Sequence, residues 1–191
     1  MESSFYSEDE LIKLGFAKIG TNVLISKKAS IYGIKNIKIG SNVRVDDFCV
    51  LSGNIELGNY VHIATATLLF GGSIGIELED YTAISSRSAL YAESDDYTGV
   101  AMTNPMVPDK YRNILQGRIC LKKHSIVGTA CTIMPGVILE EGTAIGAMSL
   151  VNKSTEPWGI YFGIPCKRMR DRNSDALDLS LDFEKNQLYQ V

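Results

Sequence analysis

The sequence is poor in the side chains that usually build metal or thiol centres. Its 191 residues include two histidines, His62 and His124, and four cysteines that lie far apart with no CxxC spacing. This distribution argues against a disulfide framework and against a zinc–thiolate site. We therefore expect no metal ion and no nucleophilic cysteine.

The chain also lacks a large charge of one sign and a long apolar run. Its formal net charge is −3, which does not favour a nucleic-acid backbone or an anionic membrane as partner. No apolar stretch approaches the roughly 20 residues of a membrane span, and the acidic N-terminus has no signal-peptide apolar region. The composition indicates a cytoplasmic protein with one main domain.

What the sequence does contain is a repeat of six residues. From residue 39 it divides into blocks such as "LGNYVH IATATL" and "VGTACT IMPGVI". Position one of every block is Ile, Leu or Val, and position five is almost always Val, Thr, Ser or Cys. A period of six fits neither an amphipathic helix nor simple strand alternation. It predicts a short strand and a turn per block, three blocks per coil, with positions one and five inward and position six outward.

Segments outside the repeat divide the chain. Residues 7–15 predict a short helix within an N-terminal cap of residues 1–18, because Ser7 and Glu10 can form a capping box and Gly15 can end it. The repeat domain covers residues 19–172 and is interrupted by a long loop at 93–118, a length that is typical of functional loops. The tail, residues 173–191, has no repeat, and helix, extended arm and disorder all stay open.

The blocks, over roughly residues 19–170, and the later element "GIPCK" resemble the hexapeptide-repeat acyltransferases. The similarity is strongest to the galactoside and maltose acetyltransferase branch and to sugar acetyltransferases of bacterial surface polysaccharide synthesis. The resemblance implies an all-β fold, a left-handed parallel β-helix, with acetyl-coenzyme A (acetyl-CoA) as cosubstrate. It also implies a homotrimer with active sites between subunits.

Matching this branch residue by residue implies where the coenzyme binds. Thr129 and Ala147, one full coil apart, would border its pantetheine arm. The match also selects Lys153, Lys167 and Arg170. Together with Arg168, the last two can form charge-assisted hydrogen bonds with its phosphates.

Acyl transfer to a hydroxyl needs a base, and a neutral histidine suits that role near pH 7. His62 occupies an outward position six, whereas His124 falls in a turn. In the resembling branch a histidine enters the long loop where this chain has Asp95. Three readings stay open: His62 is the base and Asp95 or Asp96 orients it, an aspartate is the base, or the acceptor is an amine that needs positioning only. We favour the first.

The main prediction is an acetyl-CoA-dependent O-acetyltransferase acting on a sugar hydroxyl, in bacterial surface polysaccharide synthesis. The alternative is an N-acetyltransferase of a nucleotide-linked amino sugar, such as a dTDP-4-amino-4,6-dideoxy sugar. A non-catalytic β-helix scaffold is a remote alternative. A zinc hydratase on the same fold is disfavoured because its site takes three histidines per metal.

Overall fold

The chain winds into a parallel β-helix whose coils stack in register. The structure, a computed structural model, describes residues 4–188. Neighbouring coils align the first positions of their blocks, so that Ile63 pairs with Ile84 and Leu69 with Leu90. The predicted β-helix of hexapeptide repeats is confirmed. The predicted end segments 1–18 and 173–191 extend past the described range at residues 1–3 and 189–191.

Each coil contributes strands to three faces. Face 1 contains β1 (Lys18–Ile19), β4 (Ile37–Ile39), the second halves of β6 (Val50–Leu57) and β8 (Leu68–Leu78), β13 (Ile119–Leu121) and β16 (Ile138–Leu139). Face 2 contains β2 (Leu24–Ile25), β5 (Arg44–Val45), β7 (His62–Ile63), β9 (Ala83–Ile84), β14 (Ile126–Val127), β17 (Ala144–Ile145) and β19 (Gly159–Gly163). Face 3 contains β3 (Ser30–Tyr32), the first halves of β6 and β8, β10 (Ala89–Tyr91), β15 (Thr132–Ile133) and β18 (Leu150–Val151).

We number the coils from the N-terminus. Coils 1 to 6 comprise residues 18–32, 37–52, 55–70, 76–91, 119–133 and 138–151, and β19 begins a partial seventh coil. The long loop leaves between coils 4 and 5, at the corner between faces 3 and 1.

The interior is filled by positions one and five, as predicted. In coil 3, Val61, Ile63, Thr67 and Leu69 are all buried, and each fully buried Leu or Ile contributes about 1.5–3 kcal/mol. Position four supplies the turn, because fourteen such residues have left-handed backbone angles: Asn22, Asn42, Phe48, Tyr60, Ala66, Gly72, Tyr81, Arg87, His124, Ala130, Gly136, Gly142, Met148 and Trp158.

A capped helix packs at the N-terminal end of the β-helix. Helix α1 (Glu8–Leu14) begins with the predicted capping box, in which Ser7 and Glu10 exchange side chain-to-backbone hydrogen bonds, and it ends at left-handed Gly15. Leu11 is buried in the same continuous core as the coils. The helix therefore extends the core at that end.

The long loop forms an arm on a two-stranded antiparallel base. Strand β11 (Glu93–Asp95) pairs with β12 (Ile114–Gln116). A 3₁₀ turn, Asp109–Tyr111, lies between them. Several large apolar side chains of the arm are exposed: Tyr97, Val100, Met102, Met106, Tyr111 and Leu115.

The tail forms helix α2 (Ala176–Leu188), which packs on a ladder of rings. Tyr60, Tyr81 and His124 stack from coil to coil at 5.1 Å, and Trp158 follows His124 at 6.2 Å. Phe183 of α2 contacts Tyr60 edge-on, and the Tyr81 hydroxyl donates to Glu184 at 2.9 Å. The sequence left this tail undecided because the ladder exists only after the coils stack. In the part of the chain that the structure describes, no helix has the length and apolarity to cross a membrane.

Candidate active site

The candidate site contains a histidine that is hydrogen-bonded to a carboxylate on face 2. His62 Nε2 lies 2.9 Å from Asp46 Oδ2, and Arg44 Nε donates to Asp46 Oδ1 at 2.7 Å. The Asp46 side chain is 15% exposed and that of His62 is 47% exposed, so a largely buried anion holds an accessible ring. Although partial burial opposes it, the hydrogen bonds from His62 and Arg44 lower the pKa of Asp46 below its ordinary value. Asp46 is therefore ionised at neutral pH and orients the imidazole.

Asp46 is a site residue that sequence reasoning missed. It occupies position two of its block, one coil before His62 at position six. Both positions flank an inward position one, so both side chains point outward. Stacking of coils 2 and 3 then brings them together. A search of position two in the preceding coil would have found it.

Ser85 joins this outward surface from coil 4 and was also missed. His62 pairs with Ala83 across the face, and the Ala64 N–H donates to Ile84 O, which places Ala64 beside Ser85. Strands in a sheet lie about 4.8 Å apart. His62 and Ser85 are thus diagonal neighbours on one outward surface, separated only by small side chains.

Small residues continue along the corner between faces 2 and 3 toward the C-terminal end. Position two is Gly128 in coil 5 and Gly146 in coil 6, each followed by Thr129 or Ala147 at position three, and we call these four residues the track of small residues. A Cβ on Gly128 would lie 2.6 Å from the Ala147 N atom, so the backbones approach closely there. The Met148 N–H donates to Thr129 O at 2.8 Å. The structure therefore places the predicted pair Thr129 and Ala147 on adjacent coils of one corner.

The predicted basic residues lie around the last strands. Lys167, Arg168 and Arg170 belong to β20 (Cys166–Asp171), which pairs antiparallel with β19, and Lys153 follows β18. All four are exposed. Arg168 differs from the others because it forms ion pairs with Glu156 at 3.1 Å and Asp171 at 2.7 Å.

Phe162 of β19 lies against Gly146, where a Cβ would overlap its ring. The hairpin of β19 and β20 is therefore seated on the same track of small residues.

The two predicted loop carboxylates lie apart from His62 within one chain. Asp95 accepts from Arg112 Nη2 at 3.3 Å and from the Asn104 N–H at 3.1 Å, at the base of the arm. Its corner is separated from His62 by the width of face 3. Asp46 takes the place beside the imidazole that was expected for Asp95 or Asp96. The catalytic roles of His62, Asp95 and Asp96 stay predictions.

Asp96 is buried and anchors the arm. Its carboxylate accepts from the Thr98 N–H at 2.7 Å, the Thr98 hydroxyl at 2.9 Å and Asn113 Nδ2 at 3.1 Å. These hydrogen bonds, led by that from the Thr98 N–H, lower the pKa of Asp96. Its oxygens are occupied by the arm itself, so Asp95 is the loop carboxylate with more freedom to meet a ligand.

His124 lies at a turn and packs within the ladder of rings, in agreement with its interpretation as a turn residue. It stacks on Tyr81, and its pKa is lowered chiefly by burial. Among the described residues, no three His, Cys, Asp or Glu side chains are grouped as a metal site requires.

Comparisons with known proteins agree with this architecture. No family model matches the chain. The dTDP-4-amino-4,6-dideoxy-D-glucose acyltransferase of Escherichia coli is 42% identical over 184 residues, which cover 95% of each chain. The putative lipopolysaccharide biosynthesis O-acetyl transferase WbbJ of Escherichia coli K12 is 24% identical over 146 residues, covering 74% of this chain and 72% of that one.

A solved structure is similar over the whole length. AntD, an N-acyltransferase from Bacillus cereus, is 48% identical, covers 97% of this chain and 99% of its own, and superposes with a TM-score of 0.96 in its complex with dTDP and 3-hydroxybutyryl-CoA. Another structure of AntD contains dTDP-4-amino-4,6-dideoxyglucose and coenzyme A. The expectations of an acyltransferase and of a coenzyme A thioester as cosubstrate are confirmed at the level of the family. The chain belongs to the hexapeptide-repeat acyltransferases.

Proposed function

We propose that the protein is a cytoplasmic N-acyltransferase that moves an acyl group from coenzyme A to the amino group of a nucleotide-linked 4-amino-4,6-dideoxy sugar. The observation that carries this proposal is the end-to-end similarity to an Escherichia coli acyltransferase and a Bacillus cereus N-acyltransferase of that chemistry. The expected O-acetyltransferase has weaker support, since WbbJ is 24% identical over part of the chain. The relatives therefore favour the alternative over the main prediction.

The chemistry of an amine acceptor suits the groups of the candidate site. A neutral amine attacks a thioester without prior removal of a proton, so positioning contributes more than base strength. The absence of a loop histidine at Asp95 is then no defect, because a carboxylate can accept a hydrogen bond from the amine. His62 remains the group that can take the proton released after attack.

Structures of AntD support a role for Ser85 and Asp95. They include substitutions of one serine and of one aspartate that lies ten residues further along that chain. Ser85 and Asp95 have the same separation here, as do Ser86 and Asp96. Asp96 is buried under three hydrogen bonds of its own arm. We therefore assign Ser85 and Asp95 to the acceptor site.

The proposed reaction is a direct transfer. The amine nitrogen attacks the thioester carbonyl carbon and forms the amide bond, and the carbon–sulfur bond breaks. The proton leaves the nitrogen for His62 and passes to the departing thiolate, which gives free coenzyme A. In the tautomer that donates from Nε2 to Asp46, Nδ1 is the nitrogen that accepts this proton. The products are the N-acylated sugar and the thiol.

The donor lies along the track of small residues in this proposal. The pantetheine arm passes beside Thr129 and Ala147, where Gly128 keeps the backbone uncovered, whereas Gly146 is covered by the ring of Phe162 and seats the hairpin. The thioester is directed toward Ser85. Lys153, Lys167 and Arg170 are exposed at the far end, where the phosphates of coenzyme A would bind. Arg168 contributes less, since its guanidinium already pairs with two carboxylates.

The site is completed by a second copy of the chain. Asp95 lies at the corner between faces 3 and 1, whereas His62 lies on face 2, so one chain does not bring them together. The exposed apolar side chains of the arm, among them Tyr97, Val100 and Met106, form a surface that a monomer rarely exposes. We propose the expected homotrimer, in which the arm of one chain carries Asp95 to the His62 and Ser85 of its neighbour.

The deciding experiment measures thiol release with matched acceptors. The panel contains dTDP-4-amino-4,6-dideoxyglucose, the corresponding 4-hydroxy nucleotide sugar, and simple hydroxyl sugars, each with acetyl-CoA and 3-hydroxybutyryl-CoA. We expect turnover only with the amino sugar. Turnover confined to hydroxyl sugars would reject N-acylation.

A variant pair tests the assigned roles. His62→Ala and Asp95→Asn should each lower kcat by about 100-fold, while the affinity for coenzyme A stays within about twofold. Asp178→Asn is the control, because Asp178 is exposed on α2, away from the arm and from Arg112. Wild-type turnover by His62→Ala would remove this residue from the mechanism.

A further inference from the structure

One arginine stands on the corner between faces 2 and 3, beside the proposed acceptor site. Arg87 is position four of the block "ISSRSA", two residues after Ser85. Its backbone is left-handed, with φ 61°, and its N–H donates to Thr65 O at 3.1 Å. Its side chain is exposed. The hydrogen-bonded turn therefore fixes the base of a cation that extends into solvent.

The neighbours of Arg87 along the corner leave room for a ligand. The equivalent turn residues are Ala66 in coil 3 and Ala130 in coil 5, both left-handed as well. Phe48 and Met148, the next residues of this row, are large and exposed. Two alanines thus flank Arg87 at a spacing of about 4.8 Å on each side. Arg87 therefore lies between two small side chains, and an exposed aromatic ring and an exposed thioether stand at the two ends of the row.

Arg87 and Arg170 are the two arginines without an ion pair or a side-chain hydrogen bond in the described part of the chain, and Arg170 already belongs to the proposed coenzyme site. Most arginines are committed to other groups: Arg44, Arg112, Arg118 and Arg168 pair with carboxylates, and Arg172 donates to two backbone carbonyls. Across residues 4–186, whose side chains are described, Arg87 forms neither an ion pair nor a side-chain hydrogen bond. An uncommitted guanidinium presents a planar fork that matches two phosphate oxygens.

Its position separates Arg87 from the proposed coenzyme phosphates. Lys153, Lys167 and Arg170 follow coil 6, whereas Arg87 belongs to coil 4. The proposed thioester ends near Ser85, so the phosphates of coenzyme A lie toward the other end of the track. The anion nearest to Arg87 would then be that of the acceptor.

We propose that Arg87 binds the diphosphate of the nucleotide-sugar acceptor. The inference rests on the proposed function and adds to it a specificity-determining residue. Arg87 selects acceptors that carry a diphosphate over free sugars, while Ser85 and Asp95 meet the sugar amine. The loss of Arg87 should weaken acceptor binding without changing the chemical step.

The test measures binding of dTDP and of coenzyme A separately, by calorimetry on the whole chain. Arg87→Gln should raise the Kd for dTDP by about 10- to 100-fold, the range expected for hydrogen bonds to a charged group. Its Kd for coenzyme A should stay within about twofold. Arg87→Lys keeps the positive charge but lacks the planar guanidinium, so its Kd for dTDP should lie between those of the unsubstituted protein and Arg87→Gln. Lys35→Gln removes one charge from an exposed lysine at the corner between faces 3 and 1, and should alter neither affinity.

Each outcome has a distinct meaning. Unchanged dTDP affinity in a folded Arg87→Gln, with tight binding by the unsubstituted protein, overturns the role of Arg87 alone. Equal losses for dTDP and coenzyme A overturn it as well, because the arginine would then serve the donor. If the unsubstituted protein binds no dTDP, the proposed acceptor fails and the role of Arg87 fails with it.

Discussion

Replacing Gly146 by alanine tests whether the hairpin of β19 and β20 holds coenzyme A. A Cβ at this position would overlap the ring of Phe162, which packs directly on the glycine. Carbon atoms rest at about 3.5–4.0 Å from one another, so the ring must move by roughly 1–2 Å. Phe162 belongs to β19, and its movement displaces Lys167, its partner across the hairpin.

The expected magnitude follows from these contacts. Phe162 is 48% exposed, so its packing contributes about 1 kcal/mol, half of what full burial gives. The melting temperature should fall by about 2–4 °C. Displacing the cations of the hairpin removes charge-assisted hydrogen bonds, and the Kd for coenzyme A should rise by about 10-fold or more. Calorimetry and thermal unfolding on the same preparation measure both effects.

A double variant separates a steric cause from other causes. In the Phe162→Ala background the ring is absent, so adding Gly146→Ala should change neither the Kd nor the melting temperature further. The reasoning is refuted if Gly146→Ala leaves the affinity for coenzyme A unchanged. It is equally refuted if the substitution weakens binding to the same extent with and without the ring.

Two further substitutions test the arm and the tail. Asp96→Asn should speed proteolysis within residues 97–112. The pKa of Asp96 is lowered in the folded state. Its contribution to the stability of the arm is therefore complete above the ordinary carboxyl pKa of about 4 and is lost as the pH falls through the lowered value. Hydrogen exchange of the arm measures this effect, and an exchange rate that does not respond to acid would contradict it. Tyr81→Phe removes the hydrogen bond to Glu184 and should speed cleavage within α2 at unchanged turnover, and an unaltered cleavage rate would show that ring packing alone holds the helix.

The repeat predicted the outward and inward directions of the side chains correctly. Ile63 and Leu69 at position one are fully buried, and His62 at position six is exposed. These predictions succeed because each six-residue block contains its own strand and turn, so direction depends on local backbone geometry. The helical cap at Ser7 and Gly15 succeeded for the same reason.

The companions of His62 could not be predicted in the same way. Asp46 reaches the ring because coil 2 stacks under coil 3, and Ser85 joins because coil 4 stacks above. The sequence analysis instead predicted that Asp95 or Asp96 orients His62, because Asp95 occupies the loop position at which the resembling branch has a histidine. In the structure Arg112 holds Asp95 at the base of the arm.

By itself the sequence determined the coil, its core positions, the turn in each block and the location of the inserted loop, since all are set by contacts within a few residues or by a strict repeat. Only the tertiary structure decided which outward residues meet, that the tail is a helix on the ring ladder, and that Arg87 stands uncommitted between two alanines. These features join residues about one coil or more apart along the chain. Such contacts depend on how the coils stack, and no single block encodes that register.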